Sequence, residues 1–284
     1  MFRIVNKKEL NPFVTLLEIE APFVAKKANA GQFIIFRIDE FGERVPLTIA
    51  DYDREKGTVT IIFQKVGLST MLLAQKEVGD TILDFSGPLG VATQYHDLQR
   101  VAVVGGGVGC AIAYPQAKAL HNIGANVDVI AGFRSKDIVI LEDEMKAVSD
   151  NYYLMTDDGT KGEKGFVTDK LKSLIESGKK YDAVIAIGPI AMMKFVSITT
   201  KPYKIKTIVS LNPIMIDGTG MCGGCRVTVN NRIRFACIDG PDFDGHEVDF
   251  DELINRNGIY KKEESEMAEK HICRIQQQLH KEEK

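Results

Sequence analysis

Runs of basic residues, long apolar stretches and paired histidines are all missing from this chain, and each absence removes a class of function. No cluster of Lys and Arg interleaved with aromatics occurs and the formal net charge is −3, which argues against a nucleic-acid footprint. The longest apolar run, Val101 to Pro115, is too short and too rich in glycine to cross a bilayer, so no membrane role is expected. Met1 to Lys8 is basic but enters no apolar core, and is not read as a secretory signal. The histidines His96, His121, His246, His271 and His280 are scattered; no Ser-His-Asp set or metal-type pair emerges, and no site for a second organic substrate.

What is present is a chain of 284 residues, 44% hydrophobic and 26% charged, long enough for about two domains of ~100–200 residues. From Val14 to Phe85 short runs of β-branched and aromatic residues alternate with Gly, Asp and Pro. Val14 to Ile19, Gln32 to Ile38, Thr58 to Phe63 and Asp80 to Phe85 read as strands, and their spacing implies a small antiparallel barrel. Two segments in it carry chemistry. Arg44-Val-Pro46-Leu47-Thr48 puts an arginine, a proline and a hydroxyl at the start of a strand; an arginine there can hold a phosphate as a planar fork, or the segment is simply a surface turn. Val66-Gly67-Leu-Ser69-Thr70 opens an apolar helix with Ser69 or Thr70 as the expected N-cap, and free amides at a helix start attract phosphate.

At Arg100 the texture changes to alternating strand and helix. Apolar runs at Val101–Val104, Val127–Ala131, Tyr152–Met155, Ala183–Ile187 and Lys206–Ser210, separated by helical stretches, imply a parallel sheet covered on both faces. Ligands on such sheets bind beyond the carboxyl ends of the strands. The first strand ends in Gly105-Gly106-Gly107-Val-Gly109, suited to close approach of a pyrophosphate, although Cys110 stands where a further glycine is usual. The second ends in Gly132-Phe-Arg134, the third in Thr156-Asp157-Asp158-Gly159, the fourth in Gly188-Pro189. Carboxylates at Asp157 and Asp158 can bond ribose hydroxyls and would repel a 2′-phosphate, which favours NAD over NADP.

Three of the five cysteines crowd into Asp217-Gly-Thr-Gly-Met-Cys222-Gly-Gly-Cys225 and the following Cys237. The pattern Asp-x4-Cys-x2-Cys-x11-Cys supplies three soft ligands and one oxygen, and ligand type alone leaves zinc and a [2Fe-2S] cluster both open. Such cysteine use suits a reducing compartment, and the cytoplasm is expected. Further on, the acidic stretch Phe243–Glu252 reads as a solvated face, and Met267, Ile272, Ile275 and Leu279 recur at helical spacing in a charged tail. Cys110 and Cys273 are expected to be structural.

Arginine-Pro-hydroxyl, then Gly-Ser-Thr, then the glycine run with Pro115, then Gly188-Pro189 with Met192 following, resembles in this order the ferredoxin–NADP reductase superfamily. The cysteine loop narrows the resemblance, over Phe2 to Leu253, to the electron-transfer subunit of dihydroorotate dehydrogenase B and its relatives. Among these is the small subunit of NADH-dependent ferredoxin:NADP⁺ oxidoreductase, also called sulfide dehydrogenase. Cysteine stands at the Asp217 position in the dihydroorotate branch, so aspartate there resembles the oxidoreductase branch. The resemblance implies an FAD-binding barrel (1–98), an NAD(H)-binding α/β domain (99–210), a [2Fe-2S] lobe (211–250) and a helical tail (251–284). It implies flavin contacts from Arg44, Pro46, Leu47 and Thr48, with Thr48 at the reactive face and therefore the catalytic candidate, and diphosphate contacts from Val66, Gly67, Ser69 and Thr70. A one-electron acceptor beside a hydride-fed flavin then favours the cluster over zinc, with Asp217, Cys222, Cys225 and Cys237 as its ligands. A larger flavin and iron–sulfur subunit, with ferredoxin reached through that complex in flavin-based bifurcation, is the implied partner. The alternatives are the dihydroorotate dehydrogenase subunit itself and a zinc-bearing nucleotide-binding module without enzymatic activity.

Overall fold

The computed structural model describes residues 1–266. Its first part contains β1 (Phe2–Asn11), β2 (Val14–Glu20), α1 (Pro22–Lys27), β3 (Phe33–Arg37), β4 (Val45–Asp53), β5 (Thr58–Gln64), α2 (Leu68–Gln75), β6 (Thr81–Ile82) and β7 (Asp84–Leu89). The strands pair antiparallel in the order β6-β1-β2-β5-β4-β3-β7. The outermost two, β6 and β7, are separated in the chain by Leu83 alone, so the sheet must curl round to bring both ends together. This near-closure is the expected antiparallel barrel, and it leaves little free edge to recruit other strands. Alternation sends Leu17, Ile19, Ile34, Phe36, Ile61, Phe63 and Phe85 into its interior.

One irregularity in the barrel positions a site. Pairing of β4 with β5 begins only at Ile49, opposite Ile61, whereas Val45 to Thr48 pair with β3 on the other side alone. The two strands therefore part at the start of β4. Pro46, which has no N–H to give, sits in this half-paired stretch, where a strand tolerates it.

The second part runs through β8 (Arg100–Gly106), α3 (Cys110–Asn122), β9 (Asn126–Phe133), α4 (Glu142–Ala147), β10 (Asn151–Thr156), β11 (Glu163–Lys164), α5 (Val167–Glu176), β12 (Ala183–Ile187), α6 (Ile190–Thr200) and β13 (Lys206–Ser210). These strands form one parallel sheet in the order β11-β10-β9-β8-β12-β13. Near-continuous apolar strands are what burial on both faces requires. One face packs on α3 and α4 through Ala113, Ala117, Leu120 and Met145; the other packs on α5 and α6 through Leu171, Leu174, Met193 and Val196. Strand order reverses between β8 and β12, which makes the crevice beyond their carboxyl ends the expected ligand position.

The last part contributes β14 (Arg226–Val229), β15 (Arg232–Phe235), α7 (Ala236–Asp239), β16 (Asp242–Asp244) and α8 (Phe250–Asn257). β14 and β15 form a hairpin whose turn places Asn230 and Asn231 at φ of 50° and 55°, the left-handed pair such a turn demands. The acidic stretch keeps Asp244, Glu247, Asp249 and Asp251 exposed, as a solvated face would, but it is also ordered on the sheet. β16 adds antiparallel to β13 as the edge of the large sheet, Phe250 is buried, and Asp249 Oδ1 caps α8 by accepting from Glu252 N at 2.9 Å. Met267, Ile272, Ile275, Leu279 and Cys273 lie outside the described residues.

Candidate functional site

Where β4 and β5 part, the residues Arg44, Pro46, Leu47 and Thr48 are all half-buried. Across from them Val66 is exposed, Gly67 is the N-cap of α2, and a Cβ built on Gly67 would meet nothing within 4 Å. The expected capping is corrected: neither Ser69 nor Thr70 is the N-cap. Thr70 sits in the first turn and its Oγ1 accepts from Gly67 N at 3.0 Å and Val66 N at 3.1 Å, tying the turn from inside. Ser69 Oγ donates to Glu43 Oε2 at 3.0 Å, which joins the start of α2 to the residue preceding Arg44. The two phosphate-type segments, far apart in sequence, thus line one wedge.

Arg44 reaches further. Its Nε donates to Ile216 O at 3.0 Å and its Nη2 to Asp217 O at 3.4 Å, so the cysteine loop abuts the wedge. The loop also rests on the barrel: Phe33 and Ile35 of β3 pack with Met215, Cys225, Ala236 and Cys237. Gly218, Gly220 and Gly223 adopt φ of 81°, 83° and 71°, a backbone path that other residues follow only under strain. Cys225 and Cys237 are buried with their Sγ atoms 3.2 Å apart; Cys222 is exposed. Two thiolates on one tetrahedral metal with bonds of ~2.3 Å stand ~3.7 Å apart, so a shift of about half an ångström would fit this pair to one iron. Burial, the Cys225 thiol and the nearby Cys222 push the Cys237 thiol up, and a metal there would bind the thiolates.

Asp217 is not brought onto the sulfurs. Its Oδ2 accepts from Thr219 N at 2.9 Å, Thr219 Oγ1 and Met221 N at 3.3 Å, and these bonds hold its carboxyl below the usual carboxylate range. Among the described residues no three His, Cys, Asp or Glu side chains converge on a single-ion position.

In the large sheet the glycines face one another across the crevice. A Cβ on Gly109 would lie 2.5 Å from Ile187 O and 2.7 Å from Gly188 Cα, and one on Gly106 would lie 2.5 Å from Met192 Sδ and 3.1 Å from Pro189 Cδ. Gly105 would meet Cys110 Sγ at 2.8 Å, whereas Gly107, at φ 56°, has open space. Gly107 is the bare turn a pyrophosphate could approach, and Gly109 supplies the close helix–strand packing. Cys110 is fully buried, and burial pushes its thiol up to about 12, so it is an inert packing residue as expected.

Arg134, Asp157 and Asp158 lie together at the strand ends, joined by Asp157 N to Phe133 O at 3.0 Å and Asp158 N to Arg134 O at 3.3 Å. The two carboxylates differ. Asp158 Oδ1 is taken by Thr160 N and Oγ1, at 3.0 and 2.7 Å, and shapes its own turn, while Asp157 is exposed and, among the described residues, engaged only through its backbone. Sequence reasoning missed Glu43 and also Arg256, whose Nη2 donates to Gly224 O at 3.3 Å from α8. Neither residue belongs to a local pattern that could have announced it.

Comparison with known proteins agrees with this layout. Residues 212–249 match the iron–sulfur cluster binding domain of dihydroorotate dehydrogenase B. The chain is 47% identical over 261 residues, covering 92% of each chain, to a protein of Thermotoga maritima named as a homolog of the dihydroorotate dehydrogenase B (NAD⁺) electron transfer subunit. It is 34% identical, over 83% of this chain and 92% of the relative, to the electron transfer subunit of Fusobacterium nucleatum. A solved structure addressing flavin-based electron bifurcation by NADH-dependent reduced ferredoxin-NADP oxidoreductase superposes with a TM-score of 0.91 at 44% identity, covering 96% of this chain and 98% of the other. Phthalate dioxygenase reductase, at 17% identity and a TM-score of 0.62, shares the fold over 80% of this chain and 85% of its own. With the barrel, the parallel sheet and the cysteine loop in this order, the chain belongs to the family of dihydroorotate dehydrogenase B electron-transfer subunits, within the ferredoxin–NADP reductase superfamily.

Proposed function

We propose that this chain is an oxidoreductase subunit that passes electrons from NADH through FAD to a [2Fe-2S] cluster and on to a larger flavin and iron–sulfur subunit, in flavin-based bifurcation with ferredoxin and NADP⁺. The observation that carries this reading is the arrangement of the cysteine loop, whose paired sulfurs of Cys225 and Cys237 sit on β3 while Arg44 ties the loop to the parted strands. When bound, the flavin accepts a hydride and releases electrons singly, which a two-iron cluster can take up.

The chain's own residues orient and enclose. Arg44 and the open turn at Gly67 are proposed to hold the flavin diphosphate with Val66, Ser69 and Thr70; Pro46, Leu47 and Thr48 are proposed to line the ring, with Thr48 beside its reacting face. Gly105, Gly106, Gly107 and Gly109, with Gly188 and Pro189, are proposed to admit the dinucleotide by backbone approach, and Arg134, Asp157 and Asp158 to meet its far end. Cys222, Cys225 and Cys237 are proposed as cluster ligands with Asp217 as the fourth, its carboxylate exchanging the donors of Thr219 and Met221 for the metal. On this reading residues 1–98, 99–210, 211–250 and 251–284 are the flavin, nucleotide, cluster and tail segments. Ile216, Met221 and Ile238 are exposed apolar residues on or beside the loop, an apolar rim suited to a docked subunit. Among the described residues no helix is long and apolar enough to cross a membrane, and the cytoplasm is the proposed location.

A second reading, electron transfer to a dihydroorotate-oxidising subunit, is favoured by the match of residues 212–249 and by the names of the relatives. Anaerobic purification of the tagged chain from its own cells separates the two. The first reading expects a larger flavin and iron–sulfur chain to co-purify, and NADP⁺ to be reduced by NADH together with reduced ferredoxin. Recovery of a barrel subunit that forms orotate with NAD⁺ would replace it by the second.

A further inference from the structure

The arginine that the wedge offers to a phosphate is already engaged with another element. Arg44 Nε and Nη2 donate to the carbonyls of Ile216 and Asp217, 172 and 173 residues away, at 3.0 and 3.4 Å. A guanidinium has five N–H groups in a rigid plane, so two on one edge can hold the loop while the rest remain for an anion in the wedge. The carbonyls it holds belong to the residue carrying the carboxylate candidate and to the one before it. Just N-terminal to Arg44, Glu43 accepts from Ser69 Oγ at 3.0 Å, so the Glu43-Arg44 dipeptide is pinned on both sides, to α2 and to the loop. From α8, Arg256 donates to Gly224 O at 3.3 Å, and among the described residues it makes no hydrogen bond to a wedge residue.

We propose that Arg44 is a positioning residue shared by the two redox sites: one edge of its guanidinium clamps the cluster loop at Ile216 and Asp217 while the other holds the flavin diphosphate, so that occupancy of the flavin site tightens retention of the cluster. The inference rests on the flavin and cluster assignments proposed above and adds the coupling between them. Coupling of this kind is reciprocal, and each site gains from filling the other. Lysine at this position keeps the charge for a phosphate but loses the fork that spans two carbonyls. Arg256 holds the same loop with no hydrogen bond to Arg44 or the wedge among the described residues, and serves as the control.

The test measures iron release from the full-length chain to a chelator, with flavin bound and after flavin is stripped. In the wild type, stripping should speed release by ~5-fold or more, the low end of ordinary coupling. Arg44→Lys should release iron fast in both states, with no dependence on flavin. Arg256→Lys should release faster than wild type and keep the dependence. Release from Arg44→Lys at the wild-type rate, with the wild-type response to flavin, would overturn the proposal. Hydrogen exchange of a peptide covering residues 212–222 gives a readout without either cofactor: faster exchange in Arg44→Lys, with the β2 amides unchanged, supports the clamp, and equal exchange overturns it. A wild-type chain that takes up neither flavin nor iron contradicts the proposed function, and the exchange comparison still decides the clamp.

Discussion

Gly109 tolerates no larger side chain, because the atoms a Cβ would strike at 2.5 and 2.7 Å are backbone and cannot rotate away. Gly109→Ala should therefore force α3 off β12 and cost ~1–3 kcal/mol of stability in urea unfolding, the usual range for overpacking, and should weaken NADH binding at least ~10-fold. Gly107→Ala meets open space and should cost only the ~1–2 kcal/mol of a left-handed non-glycine residue. Asp217 is the residue on which the branch assignment turns. Asp217→Ala is expected to lower iron per chain or shift the cluster's visible spectrum and midpoint potential, since ligand identity sets iron–sulfur potential. Unchanged iron, spectrum and potential would mean that another group closes the site.

The elements most visible in the sequence are those with a strong period or a strict spacing. The core strands of both sheets follow from alternating or continuous β-branched runs, and the loop at Asp217–Cys225 from cysteine and glycine spacing. The parting of β4 from β5, by contrast, depends on where pairing stops, and Pro46 is its one local sign. The helix from residue 190 runs to Thr200 because Met193, Val196 and Ser197 find buried positions against the sheet. The acidic stretch was legible as exposed charge, at Asp244, Glu247, Asp249 and Asp251, but not as the edge strand and helix it also builds. Just before that stretch, the carboxylate of Asp242, in β16, is buried against the linker before β8 and against α3. Its Oδ2 accepts from Thr93 Oγ1 and, at 3.4 Å, from Gln116 Nε2, while Oδ1 is buried with no hydrogen-bond partner among the described residues. Burial raises its pKa above the ordinary carboxylate value, with the donors from Thr93, Ser210 and Gln116 opposing. Folding thus favours the neutral acid relative to the unfolded chain. Stability from this group is full below the unfolded value near ~4 and declines as pH rises through the folded value, by ~1.4 kcal/mol for every tenfold by which folding weakens the acid. Asp242→Asn keeps a neutral acceptor there, and should match wild type in urea unfolding at pH 4 and exceed it at pH 8. Equal pH dependence in the two proteins would show that Asp242 folds ionised.

At the scale of the whole molecule, three candidate sites adjoin: the cysteine loop rests on β3, and β5 touches residues 107–109 at the end of β8. The barrel's parted strands, the crevice between β8 and β12 and the cysteine loop belong to different stretches of chain, and only tertiary contacts through residues such as Arg44, Phe33 and Ile35 bring the first and last together. The order of motifs was readable in the sequence; the contacts that join them were not, because each spans a separation at which no local pattern survives. The proposed function stands on electrons entering as hydride and leaving singly within this one chain. Its most direct test is an anaerobic NADH titration of the purified, reconstituted chain followed by visible and electron paramagnetic resonance spectroscopy. Flavin and iron–sulfur absorption should both bleach on NADH addition, with a reduced [2Fe-2S] signal appearing; a colourless zinc-bearing protein, or a coloured one whose cluster NADH leaves oxidised, would contradict the proposed electron path.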